Sequence, residues 1–280
     1  MIHTTVVVSA KHIYRAVRET AYKAIEPLDF LVRVINGKKD FPPVYLRRYV
    51  GPLREFEKSG AEFLAYLKLL CYLQSDEKIL DIGSGCGLMA LYLLDHLGKE
   101  GTYDGVEIHK PSVTWCEKHI TKNHHQFIFT HIDVKNSLYN PDGQYEAQEF
   151  AFPFPDGLFD VILLKSVFTH MRPAETENYL KEISRLLSEK GRCLATFFLL
   201  NPRQEELAQN GLNTLEFKFG DETWRYMRKS SPESAIAYNE VSLINIITRY
   251  SLNVKKKIYG TWSGLHDGLS YQDILILEKQ

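Results

Sequence analysis

The sequence predicts an α/β fold: a seven-stranded, mostly parallel sheet with an antiparallel last strand, preceded by a helical N-terminal cap. Two observations predict it. From Lys78 onward, short apolar runs alternate with stretches of helical periodicity, which is the mark of a parallel sheet covered on both faces. Before residue 78 no strand pattern occurs, and apolar residues recur only at helical spacing.

The cap is expected over residues 1–75. Ile13, Val17, Ala21 and Ala24 fall at helical spacing, and Leu28, Leu31, Val32 and Ile35 follow after Pro27. A turn-rich stretch from Asn36 to Pro52 leads to a further helix, announced by the capping-box spacing of Ser59 and Glu62. That helix carries Phe63, Leu64, Leu67, Leu70 and Cys71 on its apolar face. The sheet domain is expected over 76–280. Its strands fall near 78–82, 102–107, 126–132, 159–165 and 191–199, with helices near 87–97, 111–121 and 173–188. Strands near 254–260 and 271–278 close it as an antiparallel pair, after a helix near 240–250. Residues 134–158 form a turn-rich insertion, because Asn140-Pro141-Asp142-Gly143 and Phe152-Pro153-Phe154-Pro155 break any regular element. A second insertion, 201–238, mixes Phe217, Phe219, Trp224, Tyr226 and Met227 with charges. It either forms a lid at the mouth of the sheet or packs for stability alone.

Length and composition narrow the function. A chain of 280 residues with 44% hydrophobic and 25% charged residues can bury a sizeable core, which argues against disorder and membrane-spanning architecture. The net charge of -1 provides no global basic field for a polyanion, so nucleic acid is not an expected partner. Cys71, Cys86, Cys116 and Cys193 stand far apart, without zinc spacing, and are expected as free thiols in a reducing compartment. Val6–Val8 is too short for a signal segment or a membrane span, so a cytoplasmic protein without stable membrane insertion is expected. The basic residues of the cap outnumber its acids, which suits either a solvated face or an acidic substrate, carrier protein or membrane surface.

The strongest chemical signal is Asp81-Ile82-Gly83-Ser84-Gly85-Cys86-Gly87, an apolar strand running into a glycine turn that opens a helix. Glycines let the chain bend and let a ligand approach the backbone, and the helix offers free N–H groups, so a nucleotide-containing cofactor is implied. The spacing is Gly-x-Gly-x-Gly rather than the Gly-x-Gly-x-x-Gly of dinucleotide sites. A carboxylate at Asp81 would repel a pyrophosphate and attract a cation. Both features oppose a nicotinamide-dependent oxidoreductase.

At these residues the sequence resembles the class I S-adenosylmethionine-dependent methyltransferases, over about residues 76–280. The resemblance implies a Rossmann-like fold, S-adenosylmethionine as cofactor and S-adenosylhomocysteine as product. It implies a cofactor site built from Asp81, Gly83, Ser84, Gly85, Cys86 and Gly87, with Glu107 and Ile108 after the second strand. Glu107 stands about 20 residues after the glycine turn, the spacing that places an acid on ribose hydroxyls. Asp133 and Val134 stand where the family reads adenine, and Lys165 and Ser166 where donor and acceptor meet. The segment after the fourth strand lacks the Asn/Asp-Pro-Pro-aromatic motif of nucleobase enzymes and the carboxylates of magnesium-dependent ones, so no metal is expected. The pattern Lys165-Ser166-Val167-Phe168-Thr169-His170 is similar to small-molecule methyltransferases of the type-11 kind.

A hydroxyl acceptor gains from a general base, and His170 and His266 are the candidates. Tyr14, Phe168, Trp262, Trp224 and Tyr226 are candidates to line the acceptor pocket, or else are core aromatics. The expected activity is methylation of a small molecule, most simply a hydroxyl of a polyketide- or peptide-type natural product. The alternatives are an N- or C-methyltransferase acting on a lipid, quinone or glycan, a non-catalytic S-adenosylmethionine-binding module, and an RNA methyltransferase.

Overall fold

A computed structural model describes the backbone of residues 2–280 and the side chains from Val17 onward. Helix α1 (Ile2–Ile35) and the single turn α2 (Val44–Arg47) precede α3 (Phe56–Leu70). The alternating part then runs β1 (Lys78–Ile82), α4 (Leu88–Leu93), β2 (Thr102–Glu107), α5 (Lys110–Cys116), β3 (Phe127–His131), β4 (Phe159–Leu164), α6 (Pro173–Leu186) and β5 (Leu187–Phe197). It closes with α8 (Glu240–Arg249), β10 (Leu252–Ile258) and β11 (Asp273–Lys279). Between β5 and α8 lie β6 (Leu199–Leu200), α7 (Pro202–Gln209), β7 (Phe219–Gly220), β8 (Trp224–Tyr226) and β9 (Ile236–Asn239).

The main sheet has seven strands in the order β10-β11-β5-β4-β1-β2-β3. β11 runs antiparallel to both its neighbours, and the other pairings are parallel. This is the Rossmann-like sheet that the sequence predicts. Parallel strands are buried on both faces, which is why β1 and β4 read as unbroken apolar runs. The chain order reverses between β1 and β4, where Asp81 pairs with Leu163, so both strands deliver their C-terminal ends to one crevice. That crevice is the switch point at which open α/β sheets bind ligands.

Two large cores flank the sheet. One packs α6 and α8 against Leu80, Ile162 and Leu275, and the other packs α3, α4 and α5 against Ile79, Val161 and Ile276. Phe63, Tyr66 and Leu67 of α3 belong to the second core, so this part of the cap is continuous with the sheet. At the seam Arg192 of β5 donates to both oxygens of Glu77, at 2.5 and 2.7 Å, and also to the carbonyls of Cys71 and Asp160. Both side chains are largely buried. Breaking such a pair leaves a charge without its partner, so Arg192→Met is expected to cost about 3 kcal/mol, read as a lower urea midpoint.

Helix α1 is tied to the segment that follows it by ions rather than by apolar packing. Arg33 bonds Asp29 at 2.7 Å, pairs with Glu26 and donates to the carbonyl of Phe41 at 2.6 Å. Glu26 also accepts the N–H of Val44 at 2.9 Å, and Asp29 pairs with Arg47. This network fixes residues 41–47 and thereby the stretch Arg48–Pro52 just beyond them.

The insertion 201–238 supplies β7, β8 and most of β9 to a small second sheet, β6-β9-β8-β7, beside the end of β5. Trp262, Phe198 and Phe217 make a separate aromatic cluster under it. The four cysteines are buried and unpaired. No helix among the described residues is long and apolar enough to cross a membrane.

Candidate active site

The C-terminal ends of β1, β2 and β4 open into one cleft of about 1040 Å³. Its floor is the turn after β1. Gly83, Gly85 and Gly87 take φ of +79°, +56° and +78°, the left-handed region that favours glycine. A Cβ on Gly83 would lie 2.6 Å from Val167, and one on Gly85 2.9 Å from Val50, so a side chain at either position would collide with its neighbour. Gly83 and Ser84 donate their N–H groups to the carbonyl of Val106, which draws the turn against β2.

Glu107, at the end of β2, is buried and lines the cleft. One carboxylate oxygen accepts the N–H of Gly85 at 2.8 Å and the other that of His109 at 2.7 Å. Burial raises its pKa, and these hydrogen bonds pull the other way. A carboxylate has about four acceptor sites, more than these bonds fill. Asp81 is buried at the end of β1 and accepts the hydroxyl of Tyr103 at 2.5 Å. Burial pushes its carboxyl up to about 7, against the Tyr103 hydrogen bond and the charge of Lys165. Lys165 follows the end of β4, lines the cleft and lies 5.2 Å over the ring of Phe63; burial lowers its pKa. An acid and a base therefore stand at the ends of two adjacent strands.

Ser166 takes φ +58°, a strained conformation for a residue with a side chain, and is held there by hydrogen bonds to Thr196 (2.8 Å) and Gln272 (3.0 Å). The strain turns the chain sharply and brings His170 to the cleft wall. His170 Nδ1 lies 2.8 Å from the carbonyl of Glu233. A carbonyl only accepts, so this bond fixes the proton on Nδ1 and leaves Nε2 free to take one. Burial holds the imidazole pKa below its ordinary value, which keeps the ring neutral at pH 7. Glu233 belongs to the insertion, and its carboxylate accepts the N–H of Ser137 at 2.9 Å, so the two insertions brace each other behind His170.

The structure brings together Asp81, Gly83, Ser84, Gly85, Glu107, Ile108, Val134, Lys165, Ser166 and His170 on the lining of this cleft. Cys86 and Gly87 turn into the core, where Gly87 begins α4. Asp133 is not on the lining, and its Oδ1 accepts the amide of Asn140 at 2.9 Å. His266 is exposed and outside the cleft. Phe168 is fully buried and stacked on Phe197 at 4.6 Å. Trp262 is buried with its Nε1 on Asp273 at 2.8 Å, and Trp224 and Tyr226 pack on each other and on the core. None of these four aromatics lines the cleft. Phe168 and Trp262 pack in the interior, in keeping with the core reading, and Trp224 and Tyr226 are half-buried against it. The side chain of Tyr14 lies outside the described residues.

Sequence reasoning missed the aromatic wall. Tyr49 packs on His109 at 4.4 Å and on Tyr139 at 6.4 Å, and Tyr139 meets His170 edge-on at 5.8 Å. Tyr49 falls in a stretch that reads only as turns, and Tyr139 in an insertion, so neither carries a periodic signal. Arg48, Val50 and Pro52 extend the same wall.

Residues 80–195, from β1 through β5, match the family model of a methyltransferase domain. By this match residues 80–195 form a methyltransferase domain. Several solved structures share its fold. A 1,6-didemethyltoxoflavin-N1-methyltransferase from Burkholderia thailandensis, bound to 1,6-didemethyltoxoflavin and S-adenosylhomocysteine, superposes with a TM-score of 0.53. It is 14% identical over 93% of this chain and 90% of that one. A TehB-like S-adenosylmethionine-dependent methyltransferase from Corynebacterium glutamicum gives 0.51 at 13% identity, over 85% and 100% of the two chains. A mitomycin 7-O-methyltransferase gives 0.51 at 14%, over 84% and 57%. At such identities the likeness is one of fold.

S-adenosylmethionine is the cofactor of the methyltransferase domain, and the residues of the cleft fit it. The glycine turn leaves backbone exposed to a ligand, Glu107 offers acceptors suited to hydroxyls, and the buried Ser84 Oγ has no hydrogen-bond partner within the protein. The neighbouring Asp81 and Lys165 match a group that carries both an ammonium and a carboxylate. Among the described residues no cluster of three or more His, Cys, Asp or Glu side chains could hold a metal ion.

Proposed function

We propose that this protein transfers a methyl group from S-adenosylmethionine to a hydroxyl of a small, largely apolar acceptor, with His170 as general base. The observation that carries this reading is the His170 imidazole on the cleft wall, with Nδ1 tied to the Glu233 carbonyl and Nε2 left as a proton acceptor. Bound S-adenosylmethionine supplies a methyl group already activated by a sulfonium, so alignment and exclusion of water are the main tasks left to the protein. Glu107 and Ser84 hold the sugar end of the cofactor, and Asp81 with Lys165 the amino-acid end. Tyr49, Tyr139 and Met171 supply the apolar wall for the acceptor, and His170 takes its proton at Nε2. The cleft is larger than the cofactor alone requires, which leaves room for an acceptor of natural-product size. By their names, two of the similar structures methylate nitrogen of 1,6-didemethyltoxoflavin and oxygen of mitomycin. The fold accepts both atoms, and the base favours oxygen here.

Two measurements test this reading. Calorimetry with S-adenosylhomocysteine checks the cofactor site, and a labelled donor offered with small-molecule extracts, followed by mass spectrometry, identifies the methylated product. A titration without binding heat, or label recovered only on nitrogen or carbon, overturns the corresponding half. The cofactor half also carries a pH signature. Asp81 must be ionised to receive a cation, and burial pushes its carboxyl up to about 7. Affinity for S-adenosylhomocysteine is therefore expected to rise about tenfold per pH unit up to 7 and to level off above it. In Asp81→Asn the affinity is lower and this slope disappears.

A further inference from the structure

Helix α1 is amphipathic the wrong way round for a helix lying on its own domain. Its inward face is polar: Tyr22, Glu26, Asp29 and Arg33 meet the segment 41–48 through ion pairs, hydrogen bonds and a cation–π contact. Its outward face is apolar. Val17, Ala21, Ala24, Leu28, Leu31 and Ile35 follow one another at steps of four, three, four, three and four, and all are exposed. Leu28 is 69% and Ile35 74% exposed, and Ile25 and Val32 widen the stripe. Half of the sixteen large apolar side chains exposed among the described residues lie on this helix, although it supplies only nineteen of those residues. A stripe so concentrated marks an interaction surface.

We propose that α1 pairs with α1 of a second copy of this chain. Steps of three and four form the seam of a coiled coil, whose complement is another helix with the same spacing. A two-fold axis beside α1 brings the stripe against itself, which is how most homodimers close. In the sequence the spacing continues upstream through Ile13, Ala10 and Val6, after one extra four-residue step at Val17–Ala21. The described stripe spans roughly 28 Å of helix, and two copies facing each other bury on the order of the 1,000 Å² that a specific interface needs. Charge does not oppose the pairing. Arg18 is the single charged residue at the six positions flanking the seam between 17 and 35; Thr20, Ile25, Pro27, Val32 and Val34 fill the rest. A lipid surface is the weaker fit. Helices that lie on membranes present excess Lys and Arg on their polar face; residues 17–35 balance Arg18, Lys23 and Arg33 against Glu19, Glu26 and Asp29, and Lys11 and Arg15 add two positive charges upstream. Most of these charges are already engaged within the chain.

The pairing also bears on the cleft. The ion network on the inward face of α1 fixes residues 41–47, from which Arg48–Pro52 continue as cleft wall. Two helices clamped together stiffen that support in both copies.

Sedimentation of the full chain over a concentration series tests the proposal. The native protein is expected as a dimer. Leu28→Glu combined with Leu31→Glu is expected as a monomer, with self-association weakened roughly hundredfold or more, because charges are placed in the seam. Both positions face solvent in the single chain, so the variant is expected to stay folded and melt cooperatively, lower only by what the lost pairing contributes. Leu31→Lys alone provides a milder variant, expected to weaken the dimer at least about tenfold, should the double variant fail to fold. A native chain that sediments as a monomer, or a dimer indifferent to these substitutions, overturns the proposal. So does a monomer that floats with phosphatidylcholine–phosphatidylglycerol vesicles, which would assign the stripe to lipid.

Discussion

Glu107→Ala is expected to lower affinity for S-adenosylhomocysteine by roughly hundredfold or more, since each hydrogen bond to a charged acceptor contributes about 1.5–3 kcal/mol. The carboxylate has two duties. It accepts the N–H groups of Gly85 and His109, which hold the glycine turn and the start of the next loop in place, and as a lining residue of the cleft it has acceptor sites left for a ligand. Alanine removes both. Glu107→Gln separates them: its carbonyl oxygen still accepts one N–H, but its NH₂ meets the other donor head-on, so a loss nearer tenfold to thirtyfold is expected. Calorimetric titration reads these losses directly. A Glu107→Ala protein that folds and binds at native affinity would remove Glu107 from the site.

For His170→Ala, turnover is expected to fall by roughly a hundredfold to ten-thousandfold, the range typical of a lost general base, with S-adenosylhomocysteine affinity within about threefold of native. The pH profile distinguishes a base from a packing residue. Burial lowers the His170 pKa below its ordinary value, so the active neutral form persists into mildly acidic solution and is lost only as pH falls through that lower value. The native enzyme is therefore expected to show an acid limb below pH 6.5, and the variant to lack it. Single-turnover rates across pH decide the matter, because they exclude product release. Equal losses in turnover and in cofactor affinity would assign His170 to structure instead.

The sheet was legible in the sequence because buried parallel strands must be short apolar runs bounded by turns. Phe159–Leu164 could be nothing else between Gly157 and a charged Lys165. The start of β5 was less so. Structure begins at Leu187 rather than near 191, because Leu187–Lys190 joins β4 across a register irregularity and carries no alternation of its own. In the site, the glycine turn and Glu107 were legible since their geometry is local: a bend and a strand end, about 20 residues apart. The walls were not. Tyr49, Tyr139 and Glu233 reach the cleft from three segments without periodicity, and only the folded chain brings them together. The same limit explains the aromatic residues assigned to the acceptor. Phe168 and Trp262 look alike as pocket or core in one dimension, and the stacking on Phe197 and the bond to Asp273 decide for core.

The group that fixes the His170 tautomer is a main-chain oxygen, that of Glu233. No exchange of side chain at position 233 can erase an atom that every amino acid carries. The imidazole thus depends on where the segment lies, which the Glu233 carboxylate on Ser137 helps to set, and a shortened or lengthened stretch between β8 and β9 would carry that oxygen away whatever the side chain.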